Sequence, residues 1–283
     1  MEGQVSRISA DMVNQTERTG LIRAKLDRAQ KHIRDLGVEV ATFMETKPYT
    51  VGVRTEYQRT VYYLAKLVET PSNILAITGD VLFNLRAALD HLAYWLAETN
   101  NADQAILRRI SFPIFDDSAK YNQGAGERLK GLDQNAVGAI NAIEPYNGGK
   151  GYLLWQLHKL NNIDKHRLLI TVGCHLTGFR LHTTRRRHMH KAINAEAGIE
   201  LTDDQADELN PFLPPDGNVH ALKEGVVLVK DLFANEEVDQ STKFTFVVAL
   251  NEPLIVDCKP LLPVLNEMAD CVDAVITNFE PLS

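Results

Sequence analysis

The chain has 283 residues, of which 45% are hydrophobic and 24% charged, and its formal net charge is −7. This composition is typical of a globular protein and excludes a chain that is disordered throughout. The negative charge excludes a general electrostatic attraction to nucleic acid, so any contact with RNA or DNA would need a local basic patch.

The three cysteines, at positions 174, 258 and 271, form no Cys-x-x-Cys pair. An odd number of unpaired cysteines argues against a disulfide framework and favours a reducing compartment. The first residues lack a basic segment followed by an apolar stretch, and no run of about 18 apolar residues occurs, so we expect neither a signal peptide nor a membrane span. These features predict a cytoplasmic protein.

The first hundred residues contain three regular patterns. A long helix is predicted over residues 15–45, because apolar residues such as Ile22 and Leu26 recur at helical spacing. Residues 48–67 alternate apolar and polar side chains, which is typical of a β-hairpin. A capping residue followed by a proline then indicates the start of a helix over 72–99.

The middle of the chain is less regular. We expect a short extended piece at 112–115, a helix at 133–143 and a loop from Pro145 to Gly151. A helix with four core-facing leucines follows over 151–163, and residues 167–182 have the composition of a strand.

The last hundred residues begin with a polar segment, 183–224, that we expect to be an irregular insertion. Strands are predicted at 225–233 and 243–250, and a helix over 260–279. One antiparallel sheet could hold all the strands beside a bundle of about four long helices. The sequence therefore predicts a single α+β domain over 1–283, with a division near residue 180 as the alternative.

The first candidate site lies on the predicted helix over 72–99. Asp80, Asn84 and His91 share one side of that helix, beside its apolar stripe, so their polar groups should be partly buried and need partners. Arg86 and Asp90 are four residues apart and can form an ion pair. Such groups either fix the register of a helical bundle or form a functional site.

The second candidate site is the stretch Asn161-Asn162-Ile163-Asp164-Lys165-His166-Arg167, at the end of the next predicted long helix. Asp164 shares a side with core leucines, so its carboxylate should meet a cation, and Arg86 is one candidate. The basic residues of this stretch are also typical of a helix C-terminus, where they complement the helix dipole. That alternative leaves Asn161, Asn162 and Asp164 largely unexplained.

The hexapeptide Arg86-Ala87-Ala88-Leu89-Asp90-His91 resembles the Arg-x-x-x-x-His signature of the HEPN superfamily. These are helical-bundle proteins that include metal-independent ribonucleases of toxin, antiphage and RNA-processing systems. The resemblance implies that His91 is the acid/base and Arg86 the phosphate ligand, in a site often shared across a homodimer. Segments 84–91 and 161–167 together also resemble a group of uncharacterised bacterial proteins.

Ribonuclease chemistry is compatible with these residue types. A neutral histidine can take a proton from the 2′-OH of RNA, and an arginine can hold the phosphoryl oxygens as charge develops. Asp90 or Asp164 would orient the histidine or the arginine, and His166 is a further catalytic candidate. The candidate substrate ligands are polar or basic: Asn84, Asn161, Asn162, Lys165, Arg167, Arg185, Arg186 and Arg187.

The local basic patch lies at 180–191, which holds five Arg or Lys and three His residues. Arg185, Arg186 and Arg187 would contact phosphate there. Alternatively, the patch is a solvated loop whose charge is balanced by the acidic stretch at 196–208.

Three hypotheses follow. The first is a metal-independent endoribonuclease, and the second is a non-enzymatic protein whose polar clusters are structural or bind a small ligand or partner. The third is a metal-dependent hydrolase, with ligands drawn from His158, His166, Asp90, His91 and Asp164. No His-Glu-x-x-His or comparable ligand spacing occurs, so we expect neither a metal nor a cofactor.

Overall fold

A computed structural model describes residues 2–57, 59–167, 172–180, 184–210, 222–230 and 243–279. The helices are α1 (Glu2–Glu45), α2 (Ser72–Thr99), α3 (Gln104–Leu107), α4 (Ser118–Arg128), α5 (Gln134–Ile143), α6 (Tyr152–Arg167), α7 (Thr184–Glu196), α8 (Asp203–Glu208) and α9 (Leu261–Phe279). The strands are β1 (Tyr49–Glu56), β2 (Arg59–Leu67), β3 (Val172–Arg180), β4 (Val227–Lys230), β5 (Lys243–Glu252) and β6 (Val256–Pro260). The predicted α+β class is confirmed.

The main core lies among four long helices, as predicted. Helices α1, α2, α6 and α9 pack on one another, and the leucines on their inner faces, such as Leu26, Leu85 and Leu157, are fully buried. Each such side chain contributes about 1.5–3 kcal/mol through removal of its apolar surface from water. Most of the stability of these amphipathic helices comes from this packing.

The strands form two three-stranded antiparallel sheets, in the orders β1-β2-β4 and β3-β5-β6. A second, smaller core joins them, with Tyr62 and Leu64 from one sheet against Leu176 and Phe246 from the other. The expectation of one sheet was wrong. Alternation along a strand shows that one face is buried, but it does not show which strands are paired.

The polar segment expected to be an irregular insertion contains helices α7 and α8. That expectation was wrong for these two stretches, while residues 211–221 lie outside the described part of the chain. Opposite charges stabilise the two helices as a pair, because Lys191 of α7 binds Asp203 of α8 with an N–O distance of 2.5 Å. A polar composition therefore does not exclude helices that are held by ion pairs.

Helices α1 and α6 extend beyond their predicted ends, and α4 was not predicted at all. Helix α1 begins at Glu2 instead of residue 15, and α6 continues to Arg167 instead of ending near 163. The whole stretch from Asn161 to Arg167 is consequently helical. Among the described residues, no helix combines the length and the apolar character needed to cross a membrane.

Replacement of Leu85 by alanine should lower the free energy of unfolding by about 2–5 kcal/mol, because it leaves a cavity in the main core. Leu21→Ala is the matched control, since Leu21 lies on α1 with 59% of its surface exposed. We expect the control to change stability by less than about 0.5 kcal/mol. Urea unfolding followed by circular dichroism measures both, and equal effects would contradict the assignment of the core.

Candidate functional site

The two polar stretches singled out in the sequence lie on neighbouring antiparallel helices. Gly79, near the start of α2, faces Asp164, near the end of α6: a Cβ added at Gly79 would lie 2.6 Å from a carboxylate oxygen of Asp164. Farther along α2, Arg86 lies close enough to His158 for its charge to lower the pKa of that histidine. The α2–α6 interface therefore brings both stretches together.

The Arg86 side chain is buried, and its hydrogen-bond partners are other residues of the same chain. Its Nη2 atom donates to the Oδ1 atom of Asp90 at 2.8 Å and to the carbonyl of Phe112 at 3.0 Å. The same Asp90 oxygen accepts from the backbone N–H of Phe112 at 3.0 Å. We call this arrangement of Arg86, Asp90 and the Phe112 backbone the Arg86 clasp. It holds the extended chain at Phe112 against α2 and confirms the predicted pairing of Arg86 with Asp90.

The charge of Arg86 is retained in this buried position. Burial lowers the pKa of its guanidinium, and the adjacent Asp90 carboxylate opposes that effect. An arginine keeps its proton under such conditions because its guanidinium is the most basic of the side-chain groups. The clasp is therefore an ion pair with two backbone hydrogen bonds, in surroundings where an unpaired charge would be strongly destabilising.

His91 does not lie beside Arg86. The two residues are five positions apart in the middle of a continuous helix, which separates their side chains by about 140° around its axis. Arg86 consequently lies in the core while His91 is exposed to solvent. Within one chain the two side chains do not converge on one point in front of α2.

Asp164 is not the partner of Arg86, which binds Asp90 instead. The Asp164 carboxylate packs against the backbone of α2 at Gly79, about two helical turns from Arg86. Burial raises the pKa of Asp164, and the neighbouring charge of Asp80 raises it further. The expected contact between Arg86 and Asp164 was wrong. The two antiparallel helices are offset so that Asp164 lies about two turns away from Arg86 along α2.

His158 is the residue of this interface that sequence reasoning placed only among metal ligands. Its Nε2 atom lies 3.1 Å from the Nδ2 atom of Asn162, which donates to it. Burial and the charge of Arg86 lower the pKa of His158 to about 4, so the ring is neutral near pH 7. The signal available in the sequence was the spacing of four residues between His158 and Asn162.

A second ion-pair cluster fixes the chain just after Phe112. The carboxylate of Asp116 accepts from Lys120 at 2.8 Å and also from Lys159 of α6. Hydrogen bonds from both lysines hold the pKa of Asp116 well below its ordinary value. This cluster and the Arg86 clasp together position residues 112–117 and the start of α4.

Residues 184–191 of the basic patch lie in helix α7, residues 181–183 lie outside the described part of the chain, and Arg187 is engaged by the protein itself. Its guanidinium binds Asp207 of α8 through two hydrogen bonds, of 3.1 and 2.6 Å. The charge balance by the acidic stretch is confirmed for this residue, but the segment is a helix and not the solvated loop of that alternative. Arg186 is half-buried on the same helix, and the side chains of Arg167 and Arg185 lie outside the described part of the structure.

The remaining candidates divide between the core and the surface. Asn84 and Asn161 are buried, and the Nδ2 atom of Asn84 donates to the carbonyl of Asp80 at 2.8 Å. His166 is exposed. Lys165 lies with its Nζ atom 5.7 Å from the centre of the Phe83 ring.

The solvent-exposed strip of α2 runs from Phe83 to His91. The Phe83 ring is about half exposed, and Lys25 of α1 approaches its centre to 5.6 Å. Lys165 of α6 approaches the same ring. His91 lies about 12 Å farther along the helix, eight residues at about 1.5 Å each. A molecule in solution can reach this strip, whereas the Arg86 side chain within the clasp is only 9% exposed.

Comparisons with protein-family models, with curated proteins and with solved structures find no match to this chain. Among the described residues, no group of three or more His, Cys, Asp or Glu side chains could hold a metal ion.

Lowering the pH from about 6.5 to about 4 should destabilise the fold through His158. The pKa of His158 falls from its ordinary value of 6.5 to about 4 in the folded protein. Between these values the unfolded chain binds the proton more tightly, so stability falls as the pH falls.

Thermal melts across this pH range test the effect. His158→Gln should show a smaller loss of melting temperature over the same range than the unsubstituted protein. His91→Gln, at an exposed position, should lose as much melting temperature over this range as the unsubstituted protein. Identical profiles for all three proteins would contradict a buried neutral His158.

Proposed function

We propose that this protein is a non-catalytic binding protein, in which the polar residues between α2 and α6 are packed into the fold and do not act on a substrate. The observation that carries this proposal is the burial of Arg86. A phosphate ligand must be reachable from solvent, but the Arg86 side chain is only 9% exposed and binds Asp90 and Phe112. Recruitment of Arg86 to RNA would leave Asp90 and the Phe112 carbonyl without their partner.

The other members of the two clusters support the same proposal. Asn84 and Asn161 are buried, and His158 is half-buried beside Arg86. The hydrogen bonds of this cluster run within one helix or to Phe112, and Arg86 Nη1, His158 Nδ1 and Asn161 Nδ2 have no hydrogen-bond partner among the described residues. Burial keeps these groups from a substrate in solution, which supports a place in the fold and not in a catalytic site.

The second candidate function is the metal-independent ribonuclease, and the exposed strip of α2 is the observation that favours it. An RNA base could stack on Phe83, while Lys25 and Lys165 would bind the flanking phosphates. His91 would take the proton of the 2′-OH. In this arrangement Arg86 supports the helix and does not touch RNA, and a homodimer would place two strips in one assembly.

RNA cleavage in excess EDTA distinguishes the two candidates. We expect the purified protein to leave a mixed RNA pool intact, with no difference between the unsubstituted chain and His91→Ala. His91→Ala should also keep its melting temperature, because the side chain is exposed. Cleavage that produces 2′,3′-cyclic phosphate ends and disappears in His91→Ala would overturn the binding-protein proposal in favour of the ribonuclease.

Replacement of Arg86 by methionine should lower the free energy of unfolding by about 1–3 kcal/mol, because it leaves the buried carbonyl of Phe112 without its donor. Lys31→Met is the control, since Lys31 forms an exposed pair with Asp35 on α1. An exposed pair contributes about 0–1 kcal/mol. Urea unfolding measures both variants, and equal stability of the Arg86 variant and the unsubstituted protein would show that the clasp is not structural.

A further inference from the structure

A groove of about 650 Å³ lies between α4 and α5, outside the polar cluster described above. Its walls include Tyr121, Asn122, Gln134, Asn141 and Tyr146. A space of this size is typical of sites that take a small molecule, for which about 300–1,000 Å³ is usual. None of these residues belongs to the motifs that the sequence suggested as functional.

The charged side chains of the groove wall are neutralised by neighbouring residues. Lys130 binds Glu127, with an N–O distance of 2.5 Å. Glu144 binds the ammonium group of Lys150 at 3.3 Å and accepts from its backbone N–H at 3.2 Å. A charged ligand would therefore meet no uncompensated opposite charge from the wall, which favours an uncharged ligand.

The polar side chains of the wall are amides and phenols, which can both donate and accept hydrogen bonds. The Tyr121 hydroxyl donates to the Oδ1 atom of Asn141 at 2.8 Å, so the Asn141 amide N–H groups remain as donors. Asn122 and Gln134 are exposed on the wall and make no hydrogen bond to the described residues through their side chains. Ligand hydroxyl groups match this set, since each of them also donates and accepts.

The aromatic part of the wall is held rigidly. The Tyr121 and Tyr146 rings lie 5.4 Å apart, and Phe115 packs edge-on against Tyr121. Burial raises the pKa of Tyr121 to about 12, so its hydroxyl stays a donor to Asn141. A preformed apolar surface beside fixed polar groups reduces the entropy lost on binding.

We infer that the groove between α4 and α5 binds an uncharged, polyhydroxylated molecule of monosaccharide or disaccharide size. The partly exposed ring of Tyr146 can pack on a C–H face of such a molecule while the amides bind its hydroxyl groups. This inference rests on the proposed function, because it supplies the ligand for a binding protein.

Two glycines allow a matched test. Gly126 lies in the groove wall and Gly138 lies on α5 outside it, and a Cβ added at either position would meet no atom within 4 Å. Gly126→Leu should therefore add a bulky side chain at the groove wall without a clash, and Gly138→Leu adds the same side chain elsewhere. Both substitutions favour the helical backbone, and thermal melts check that the two variants are folded.

Saturation-transfer NMR with glucose, maltose, N,N′-diacetylchitobiose and glucose 6-phosphate measures binding. We expect at least one neutral sugar to bind the unsubstituted protein and Gly138→Leu equally, with affinity at least roughly tenfold lower in Gly126→Leu. Preference for glucose 6-phosphate, binding that survives in Gly126→Leu, or failure of every neutral sugar to bind would overturn the inference.

Failure of this inference can be told apart from failure of the proposed function. If no sugar binds and RNA remains intact, the groove assignment falls and the binding-protein proposal stands. If RNA is cleaved in a manner that depends on His91, the proposed function falls whatever the sugars do.

Discussion

A positive charge buried beside the core constrains the whole central part of this protein. Arg86 needs an anion and hydrogen-bond acceptors within the fold, because an uncompensated buried charge costs several kcal/mol. Asp90 and the Phe112 carbonyl are the partners of its Nη2 atom, while Nη1 has no hydrogen-bond partner among the described residues. The chain beyond α3 is thereby held against α2, and Asp116 then fixes it to α6 through Lys159. Helix α4 starts from this anchored segment, so the position of one groove wall depends on the Arg86 clasp.

The same charge determines the state of its neighbour on α6. A protonated His158 would place a second positive charge beside Arg86 in partly desolvated surroundings, and both effects keep the ring neutral near pH 7. A neutral ring can accept the hydrogen bond from Asn162, which lies one turn later on α6. The neutral ring of His158 therefore adds no second positive charge beside Arg86 at the α2–α6 interface.

Three surfaces of the molecule differ in the charged, aromatic and amide groups that they present to other molecules. The strip of α2 between Phe83 and His91 is exposed and has lysines beside an aromatic ring, as nucleic acid contacts often do. Helix α7 is basic, but its Arg187 is already bound to α8. The groove between α4 and α5 has paired charges and free amides, which suits an uncharged polar ligand. The chemistry of the groove is the most distinct of the three, and it is independent of the Arg-x-x-x-x-His motif.

The sequence by itself determined the α+β class, the bounds of α2 and the pairing of Arg86 with Asp90, because these depend on local periodicity and on i, i+4 spacing. Only the tertiary structure decided that the strands form two sheets, that Asp164 packs on Gly79, and that a groove lies between α4 and α5. Periodicity shows which side of an element is buried, but not which element covers it or at what offset. Those choices follow from long-range packing of the core, which no short segment of the chain encodes.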